Sequence, residues 1–310
     1  MGGLSKSISA GGVRPPALRP GDRVALVAPA SPFDTEKLDR TCTYLEQCGF
    51  LPVAGRHCRQ RQGYLAGSEA VRSEDLVQAF RDPQIAAILC IRGGYGSGRL
   101  LPHLPFASLK AHPKIFLGYS DITFLHLAFW KAMRWVTFHG PNLMDWDDPA
   151  TERSSAILSG LQGERDFLWD IEAAQVLRPG VASGILMGGN LTCLTHLLMT
   201  PFFPDFQGSL LMLEDRGEAL YRLDRKITQL RLAGIFDRIS GLILGQFLDC
   251  GNTEDIWQMV REQVRMYTFP VVAGLPFGHG TANDLLPLGL PYTLNTHEAI
   301  LRTEQHPFAA

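Results

Sequence analysis

The stretch Lys114–Thr123, Lys-Ile-Phe-Leu-Gly-Tyr-Ser-Asp-Ile-Thr, decides how the first half of this chain folds. A short apolar run ends in Gly-Tyr, and Ser120 and Asp121 then precede an apolar helical pattern. This order is typical of a strand that turns sharply into a helix with a serine at the corner. Such a corner exposes the serine hydroxyl and points the first free N–H groups of the helix toward a bound group. Ser120 is therefore a candidate nucleophile, although serine is also a favoured N-cap residue.

The segments around this corner alternate between apolar strand patterns and helical patterns. Strands are predicted at residues 23–28, 50–53, 86–91, 115–117 and 136–138, and helices at residues 34–49, 68–81, 97–101 and 122–133. Continuous apolar strands separated by helices predict an α/β domain at residues 18–140, with a parallel sheet covered by helices on both faces. Ligands of such sheets bind beyond the carboxyl ends of the strands. Gly93, Gly94 and Ser120 all fall at such ends.

The second half of the chain has a different pattern. Residues 141–182 are rich in Pro, Trp and Asp with one predicted helix, which indicates a connection between domains. Further strands are predicted at residues 183–187, 209–213, 242–244, 271–273, 285–288, 292–295 and 299–302, with helices that end at residue 198 and that span residues 220–233 and 254–266. The last short strands favour antiparallel pairing. Residues 183–304 are therefore predicted to form a mixed β/α domain.

The overall composition excludes several classes of function. Of 310 residues, 45% are hydrophobic and 19% are charged, and the formal net charge is −2. This balance offers no broad electrostatic attraction for nucleic acid or for an anionic membrane. No apolar stretch approaches the roughly 18–20 residues that cross a bilayer. Residues 1–17 lack the apolar core of a signal peptide, so a cytoplasmic protein is the default expectation.

The six cysteines and nine histidines give no sign of a metal centre or a cofactor site. No Cys-x-x-Cys pair and no His-Glu-x-x-His motif occurs, so reduced, buried thiols are the simpler interpretation. His126 and His196 lie in apolar helical patterns and are expected to be core or interface residues. His139 follows a predicted strand and is a candidate pocket residue. His279 lies between two glycines after a buried strand, where a partner can approach closely.

A serine nucleophile needs a base, and the base is usually oriented by an acid. Histidine is the natural base, and His279 is the strongest candidate. Glu214 directly follows the buried run Leu210–Leu213, where a carboxylate is costly unless it is hydrogen-bonded. Glu218 lies near a predicted helix start, and an acid there offsets the helix dipole. This structural role explains Glu218 and leaves Glu214 as the better catalytic candidate.

The oxyanion of a tetrahedral intermediate requires fixed N–H donors. The Asp121 amide is one candidate, and the glycine turn Arg92–Gly96 is the natural source of another. This turn lacks the spacing of a phosphate-binding loop. The corner also differs from the Gly-x-Ser-x-Gly elbow of α/β-hydrolases, because Ile122 occupies the position of the second glycine.

Six segments together resemble the LD-carboxypeptidase family of serine peptidases, which includes muramoyltetrapeptide carboxypeptidases and microcin C self-immunity peptidases. The segments, in the order of the family, are Leu18–Asp22, Arg92–Gly96 with Arg99–Pro102, Gly118–Asp121, Gly188–Leu191, Leu213–Asp215 with Tyr221–Arg225, and Phe277–His279. Each motif is moderately specific, but six in order are difficult to obtain by chance. The resemblance covers the chain from about residue 18 to residue 302.

The resemblance implies a catalytic triad of Ser120 as nucleophile, Glu214 as acid and His279 as base. It also implies an oxyanion hole formed by the amides of Asp121 and Gly94, with Gly93 as the alternative to Gly94. A Rossmann-like N-terminal domain, a mixed C-terminal domain and an active site between them are expected. The resemblance further implies a homodimer that needs no cofactor and releases D-alanine from muropeptide tetrapeptides.

Two other functions share this set of residues. One is a microcin C-type immunity peptidase that cleaves a peptidyl or aminoacyl nucleotide. The other is an inactive protein that binds muropeptides. The substrate's terminal carboxylate also needs a partner, and Arg92, Arg99 and Arg231 are equally plausible from the sequence.

Overall fold

The computed structural model describes residues 11–146, 152–280 and 282–309, and within these ranges the strands form two sheets. The strands are β1 (Arg23–Val27), β2 (Leu51–Ala54), β3 (Ile85–Cys90), β4 (Ile115–Gly118), β5 (Thr137–His139), β6 (Leu168–Asp170), β7 (Gln175–Arg178), β8 (Val181–Asn190), β9 (Leu210–Arg216), β10 (Gly241–Leu248), β11 (Val271–Ala273), β12 (Leu286–Leu288), β13 (Pro291–Asn295) and β14 (Ile300–Thr303). Residues 147–151 of the predicted inter-domain connection lie outside the described residues.

The helices cover both sheets and begin at polar capping residues in several cases. They are α1 (Thr35–Gln47), α2 (Glu69–Arg81), α3 (Phe106–Leu109), α4 (Thr123–Met133), α5 (Glu152–Leu161), α6 (Leu191–Leu197), α7 (Leu220–Leu232) and α8 (Thr253–Gln263). The side chains of Asp34, Ser68, Asn190 and Asn252 accept hydrogen bonds from amides in the first turns of α1, α2, α6 and α8. Three short 3₁₀ turns cover Ser97–His103, Ser120–Ile122 and Leu143–Asp145.

The first sheet has the strand order β12-β5-β4-β3-β1-β2. The pairs among β1 to β5 are all parallel, as predicted from the alternation of strands and helices. Strand β12 was predicted within the second domain, but it pairs antiparallel with β5, with Leu286 opposite His139. The C-terminal half of the chain therefore supplies one edge of the first sheet.

The second sheet has the strand order β6-β14-β13-β8-β9-β10-β11-β7. Strands β8 to β11 are parallel, and the flanking strands pair antiparallel, which confirms the predicted mixed α/β class. Strands β6 and β7 arise from residues 141–182, where the sequence indicated only a connection and a helix. Both are short edge strands with exposed apolar residues, Leu168 (53% exposed) and Val176 (40% exposed). They consequently lack the buried apolar run that marks the inner strands.

The two sheets meet where β8 ends and α4 begins. The amide of Asn190 donates a hydrogen bond of 2.9 Å to the hydroxyl of the fully buried Thr123. A methyl group on Gly189 would lie 2.5 Å from that hydroxyl oxygen, so glycine is needed for the close approach. This contact brings the carboxyl ends of β4 and β9 to the same side of the molecule.

Candidate active site

Ser120 lies at the corner between β4 and α4, as the sequence predicted. Its backbone has a φ of +64°, in the left-handed region that non-glycine residues adopt infrequently. Gly118 allows the turn to close, because a methyl group there would lie 2.9 Å from the Ile122 side chain. Ser120 is half-buried, and its hydroxyl contacts His279 in the loop that follows β11.

Three of the predicted residues form a continuous chain of hydrogen-bonding atoms. The Oγ of Ser120 lies 3.0 Å from the Nε2 of His279, and the Nδ1 of His279 lies 2.6 Å from the Oε2 of Glu214. If the Glu214 carboxylate accepts the Nδ1 proton, the neutral imidazole presents a free Nε2 lone pair to the serine hydroxyl. This geometry allows His279 to remove a proton from Ser120.

Glu214 is fully buried at the end of β9 and depends on a close approach of the His279 loop. Gly278 has a φ of +101°, and a methyl group on it would lie 2.5 Å from the Oε2 of Glu214. The amide of Gly278 donates 3.0 Å to the Oδ1 of Asn283, which fixes the loop from its other side. Residue 278 must therefore be glycine, because any side chain there would collide with Glu214.

The carboxylate of Glu214 stabilises the protonated form of His279. Burial lowers the pKa of His279, but the charge and the hydrogen bond of Glu214 outweigh burial, so this pKa is raised above the usual 6.5. An imidazolium that forms during a reaction is stabilised by the same carboxylate. The site therefore lowers the free energy of the charged state through which a general base must pass.

Tyr119 packs against His279 and restricts the orientation of its ring. Its ring centroid lies 4.8 Å from that of His279 and 5.8 Å from that of His139. Burial, together with Asp145 at the phenol, raises the pKa of Tyr119, so the hydroxyl is neutral at physiological pH. The tyrosine contributes a rigid wall beside His279 rather than a charge.

The two residues whose amides are candidate oxyanion donors lie beside Ser120. Gly94 is exposed and lines the same cavity as Ser120, whereas Gly93 is buried against Ser120, where a methyl group would lie 3.0 Å from the serine Cβ. Asp121 has a buried carboxylate that accepts 2.7 Å from the Ser97 amide, and the Ser97 hydroxyl donates 2.6 Å to the Asp121 carbonyl. These bonds tie the serine corner to the turn that follows Gly94.

The cavity in front of these groups has a volume of about 290 Å³ and is lined from both sheets. The N-terminal half of the chain contributes Tyr95 and Phe124 besides the glycine turn and the serine corner. The C-terminal half contributes Asn190, Thr192 and Arg216, together with His279. A cavity of this size accommodates a short peptide terminus next to the serine hydroxyl.

Two models of known protein families match the chain. The model described as the LD-carboxypeptidase N-terminal domain matches residues 24–140, and that of the LD-carboxypeptidase C-terminal domain matches residues 183–294. Together they span well over half of the chain. This chain belongs to the LD-carboxypeptidase family.

Relatives from several bacteria match nearly the whole chain. The probable murein peptide carboxypeptidase of Bacillus subtilis (strain 168) is 37% identical over 297 residues, which are 92% of this chain and 92% of that protein. The murein tetrapeptide carboxypeptidase of Pseudomonas aeruginosa is 36% identical over 289 residues, which are 86% of this chain and 91% of that protein. The microcin C7 self-immunity protein MccF of Escherichia coli is 27% identical over 317 residues.

Solved structures of LD-carboxypeptidase family proteins share this fold. The muramoyltetrapeptide carboxypeptidase of Oxalobacter formigenes is 29% identical, has a TM-score of 0.80, and covers 92% of this chain and 99% of its own. MccF in complex with aspartyl sulfamoyl adenosine has a TM-score of 0.86 at 23% identity, with 96% of this chain and 100% of its own covered. The second likeness concerns the fold alone.

The three arginines that the sequence offered for a substrate carboxylate lie elsewhere in this LD-carboxypeptidase family member. Arg92 donates 2.7 Å to the carbonyl of Pro32, Arg99 forms an ion pair with Glu69, and Arg231 donates 2.9 Å to Gln263. Arg216, which the sequence analysis did not single out, lines the catalytic cavity instead. Its position two residues after Glu214, at the carboxyl end of the same strand, was the signal available in the sequence.

Asp215 fixes the turn that carries this arginine. The buried Asp215 carboxylate accepts 3.0 Å from the Asn190 side-chain amide and 2.7 Å from the Thr192 hydroxyl. The amides of Thr192 and Arg216 also donate to it, at 3.1 and 2.9 Å. Four donors satisfy the carboxylate, so Asp215 joins the end of β8 and the start of α6 to the end of β9, and it also lines the cavity.

The other histidines occupy different places from those expected in two cases. His139 was a candidate pocket residue, but it is fully buried, and burial first, then nearby His126 and His279, hold its pKa well below the usual value. His196 was expected to be a core or interface residue; it does not lie in the core, because it is exposed and lines the cavity in front of Ser120. His126 is buried as expected, with contacts of 2.9 Å to the Thr137 hydroxyl and 2.8 Å to the Gly118 carbonyl.

Residues 11–146, 152–280 and 282–309 contain no group of three or more His, Cys, Asp or Glu side chains arranged to hold a metal ion. All six cysteines have free thiols. No helix in the described part of the chain has both the length and the apolar character needed to cross a membrane.

Proposed function

We propose that this chain is a serine-type carboxypeptidase that hydrolyses an L,D-peptide bond and releases D-alanine from murein tetrapeptides. The contact chain from Ser120 through His279 to Glu214 is the observation that carries this proposal. The names of the relatives at 36–37% identity, murein peptide and murein tetrapeptide carboxypeptidase, support the substrate class. We also propose that residues 18–140 form the N-terminal domain and residues 183–304 the C-terminal domain of this enzyme.

In the proposed acylation, Ser120 attacks the carbonyl carbon that precedes D-alanine. His279 takes the hydroxyl proton through Nε2 as the new C–O bond forms. Glu214 keeps the imidazole in the required tautomer and stabilises its cation. His279 then donates this proton to the D-alanine nitrogen as the C–N bond breaks, and the acyl group remains on Ser120.

The negative charge on the tetrahedral oxygen needs donors that are already in place. We assign this role to the amides of Asp121 and Gly94. Gly94 is preferred over Gly93 because Gly94 is exposed to the catalytic cavity, whereas Gly93 is buried against the nucleophile. Removing one such donor in other serine hydrolases reduces kcat by about a hundredfold to a thousandfold.

Deacylation uses the same groups in reverse. A water molecule attacks the ester carbonyl as His279 takes its proton, and the Ser120 oxygen recovers that proton when the tetrahedral intermediate collapses. The products are free D-alanine and the shortened peptide. Every proton in the cycle passes through His279, so the protonation state of this residue controls both half-reactions.

Arg216 is our candidate for binding the carboxylate of the terminal D-alanine. It is exposed, it lines the catalytic cavity, and its only ion pair among the described residues is a 3.4 Å contact with the exposed Asp249. An exposed ion pair contributes little to stability, so exchanging Asp249 for a substrate carboxylate costs little free energy. A guanidinium matches a carboxylate with two parallel hydrogen bonds.

The experiment that tests the function is release of D-alanine from a defined murein tetrapeptide by wild-type protein and by Ser120→Ala. We expect release by the wild type and loss of at least about a thousandfold in the variant. The same peptide with a terminal L-alanine is the control and should not be cleaved. Equal rates for wild type and Ser120→Ala would refute the assignment of Ser120.

The 27% identity to MccF supports a second candidate, an immunity peptidase that cleaves a peptidyl or aminoacyl nucleotide. The proposed murein carboxypeptidase function is supported by relatives that are more similar to this chain, at 36 and 37% identity. Turnover of the tetrapeptide and of an aminoacyl sulfamoyl adenylate, measured side by side, separates the two candidates. A fluorophosphonate that fails to label Ser120 would instead favour an inactive binding protein.

We further propose that the enzyme acts in the cytoplasm as a homodimer. Six free thiols suit a reducing compartment, where cysteines remain unpaired. The dimer is an expectation from the family resemblance. Light scattering after size-exclusion chromatography measures it directly, and a mass near 34.2 kDa would contradict it.

A further inference from the structure

Arg72 is a buried arginine that contacts the glycine turn of the catalytic site. It belongs to α2, and only 2% of its surface is exposed. Glu69, three positions earlier on the same helix, pairs with Arg99 instead, and within the described residues no carboxylate forms an ion pair with Arg72. A buried charge without a direct counter-ion is costly, so this guanidinium depends on other polar groups.

The guanidinium of Arg72 joins three loops at the carboxyl ends of neighbouring strands. Its Nε donates 3.0 Å to the Gly67 carbonyl, and its Nη1 donates to the carbonyls of Pro29 and Gly96. These carbonyls belong to the loops that follow β2, β1 and β3, and the last of these loops is the glycine turn Arg92–Gly96. One side chain therefore fixes the position of this turn relative to the two adjacent loops.

The peptide unit between Gly96 and Ser97 connects Arg72 with the buried carboxylate of Asp121. Its carbonyl accepts 2.8 Å from Nη1 of Arg72, and its N–H donates 2.7 Å to Oδ2 of Asp121. Asp121 is 3% exposed and also forms no ion pair within the described part of the chain. The two buried charges compensate each other through one peptide unit, because its dipole points its oxygen at the cation and its hydrogen at the anion.

This bridge joins the two segments that carry the proposed oxyanion donors. The Asp121 amide belongs to the serine corner, and the Gly94 amide belongs to the glycine turn. Ser31 holds the turn from its other end, since its amide donates 3.3 Å to the Gly93 carbonyl and its hydroxyl oxygen accepts 3.1 Å from the Tyr95 amide. The turn is therefore anchored on both sides of Gly94.

We propose that Arg72 is a positioning residue for the oxyanion hole, and that together with the Asp121 carboxylate it fixes the distance between the Asp121 and Gly94 amides. The inference rests on the proposed function and deepens it. Arg72 does not line the catalytic cavity, so it acts through the glycine turn alone. Oxyanion donors act on a charge that exists only in the transition state. Loss of Arg72 should consequently slow the chemical step without weakening binding of the peptide.

The test is D-alanine release by wild type, R72Q and R72K, expressed per Ser120 that a fluorophosphonate labels at completion. In R72Q we expect kcat per labelled site to fall about a hundredfold, with KM within about twofold of the wild type. R72K keeps the charge but replaces the planar fork by a single ammonium, so an intermediate loss of about tenfold is expected. A purely structural role predicts a lower Tm and a smaller labelled fraction, with wild-type kcat per labelled site.

K114Q is the matched control. Lys114 is also a buried cation, 7% exposed, and its Nζ donates to the backbone carbonyls of Ala79 and Asp82. It lies at the amino end of β4 and does not line the catalytic cavity. Its removal should lower Tm, as R72Q does, but should leave kcat per labelled site unchanged.

The pH profile separates the oxyanion hole from the triad. Because Glu214 raises the pKa of His279, the acidic limb of kcat/KM should keep its midpoint in R72Q. A midpoint that moves in R72Q would mean that Arg72 acts through His279, and it would overturn the inference.

A kcat per labelled site in R72Q within about threefold of the wild type, or an equal loss in K114Q, would also overturn the inference. If R72Q does not fold, R72K decides by the same criterion. A wild type that releases no D-alanine would instead refute the proposed function. The rate constant for labelling of Ser120 by the fluorophosphonate then tests Arg72 independently of the peptide, because this reaction also develops negative charge in the oxyanion hole; equal rate constants for wild type and R72Q would refute the role of Arg72.

Discussion

Gly278 and Glu214 are packed so closely that no side chain fits between them. A methyl group on Gly278 would lie 2.5 Å from the Oε2 of Glu214 and 2.7 Å from its Cβ. The same Oε2 lies 2.6 Å from His279, the next residue in the chain. The loop that carries His279 therefore approaches Glu214 along a path that only glycine allows.

Gly278→Ala should reduce kcat by at least about a hundredfold, because a displacement of about 1 Å between catalytic groups has an effect of this size. The clash forces either Glu214 or the His279 loop to move. Steady-state D-alanine release measures the loss. Gly274→Ala is the matched control: Gly274 has a φ of +82° in the same loop, but nothing lies within 4 Å of its added methyl group. If both variants lose activity equally, backbone strain and not the contact with Glu214 is responsible.

The raised pKa of His279 predicts the pH dependence of the reaction. His279 must be neutral to take the proton of Ser120, so activity falls as the pH drops through the pKa of this residue. Since Glu214 raises this pKa above 6.5, the acidic limb of kcat/KM should have its midpoint above about 6.5. A pH profile of D-alanine release from a fixed tetrapeptide measures this midpoint.

Glu214→Gln tests the cause of the shift. Without the carboxylate, burial lowers the pKa of His279, and the acidic limb should move to lower pH. The maximum kcat should also fall, by up to about ten-thousandfold, because the orientation of the imidazole is lost. An acidic limb that stays in place would show that Glu214 does not set the pKa of the base.

The sequence predicted the part of the site that depends on local patterns. Ser120 was recognisable because an apolar strand and an apolar helix flank it, and these patterns are visible within ten residues. His279 and Glu214 each had a local signal, but their pairing with Ser120 came from the family resemblance. Glu214 and His279 are 65 positions apart in the chain, and Ser120 and His279 are 159 positions apart. Contacts at such separations are set by the packing of two sheets, which no local pattern encodes.

The predictions that were wrong have a common physical cause. His139 was placed in the pocket because it follows a predicted strand, and His196 in the core or an interface because its helical pattern is apolar. Yet His139 is buried, and His196 lines the cavity. Burial of a single polar side chain depends on what packs over it from another segment. Strands β6 and β7 escaped prediction for a related reason, since edge strands gain their stability from one neighbouring strand and need no continuous apolar run.

Thr123→Val should destabilise the junction between the sheets. The hydroxyl of Thr123 accepts the Asn190 amide at 2.9 Å, and valine leaves this buried N–H without a partner, which costs about 1–3 kcal/mol. Tm should fall by roughly 2–4 °C for each kcal/mol. Thermal unfolding followed by circular dichroism measures the change.

The matched control is Thr41→Val on α1. Thr41 is also fully buried, but its hydroxyl only donates 2.9 Å to the Lys37 carbonyl of its own helix. Its removal leaves no amide unpaired, so Tm should change by less than in Thr123→Val. Equal shifts for the two variants would mean that the Asn190 contact contributes nothing specific to the junction.

Arg216→Gln should raise KM for a tetrapeptide that ends in a free D-alanine carboxylate, by about tenfold or more, because a charge-assisted hydrogen bond is lost. The same peptide with a D-alaninamide terminus lacks this charge, so wild type and variant should process it alike. An equal rise in KM for the amidated peptide would show that Arg216 does not bind the terminal carboxylate.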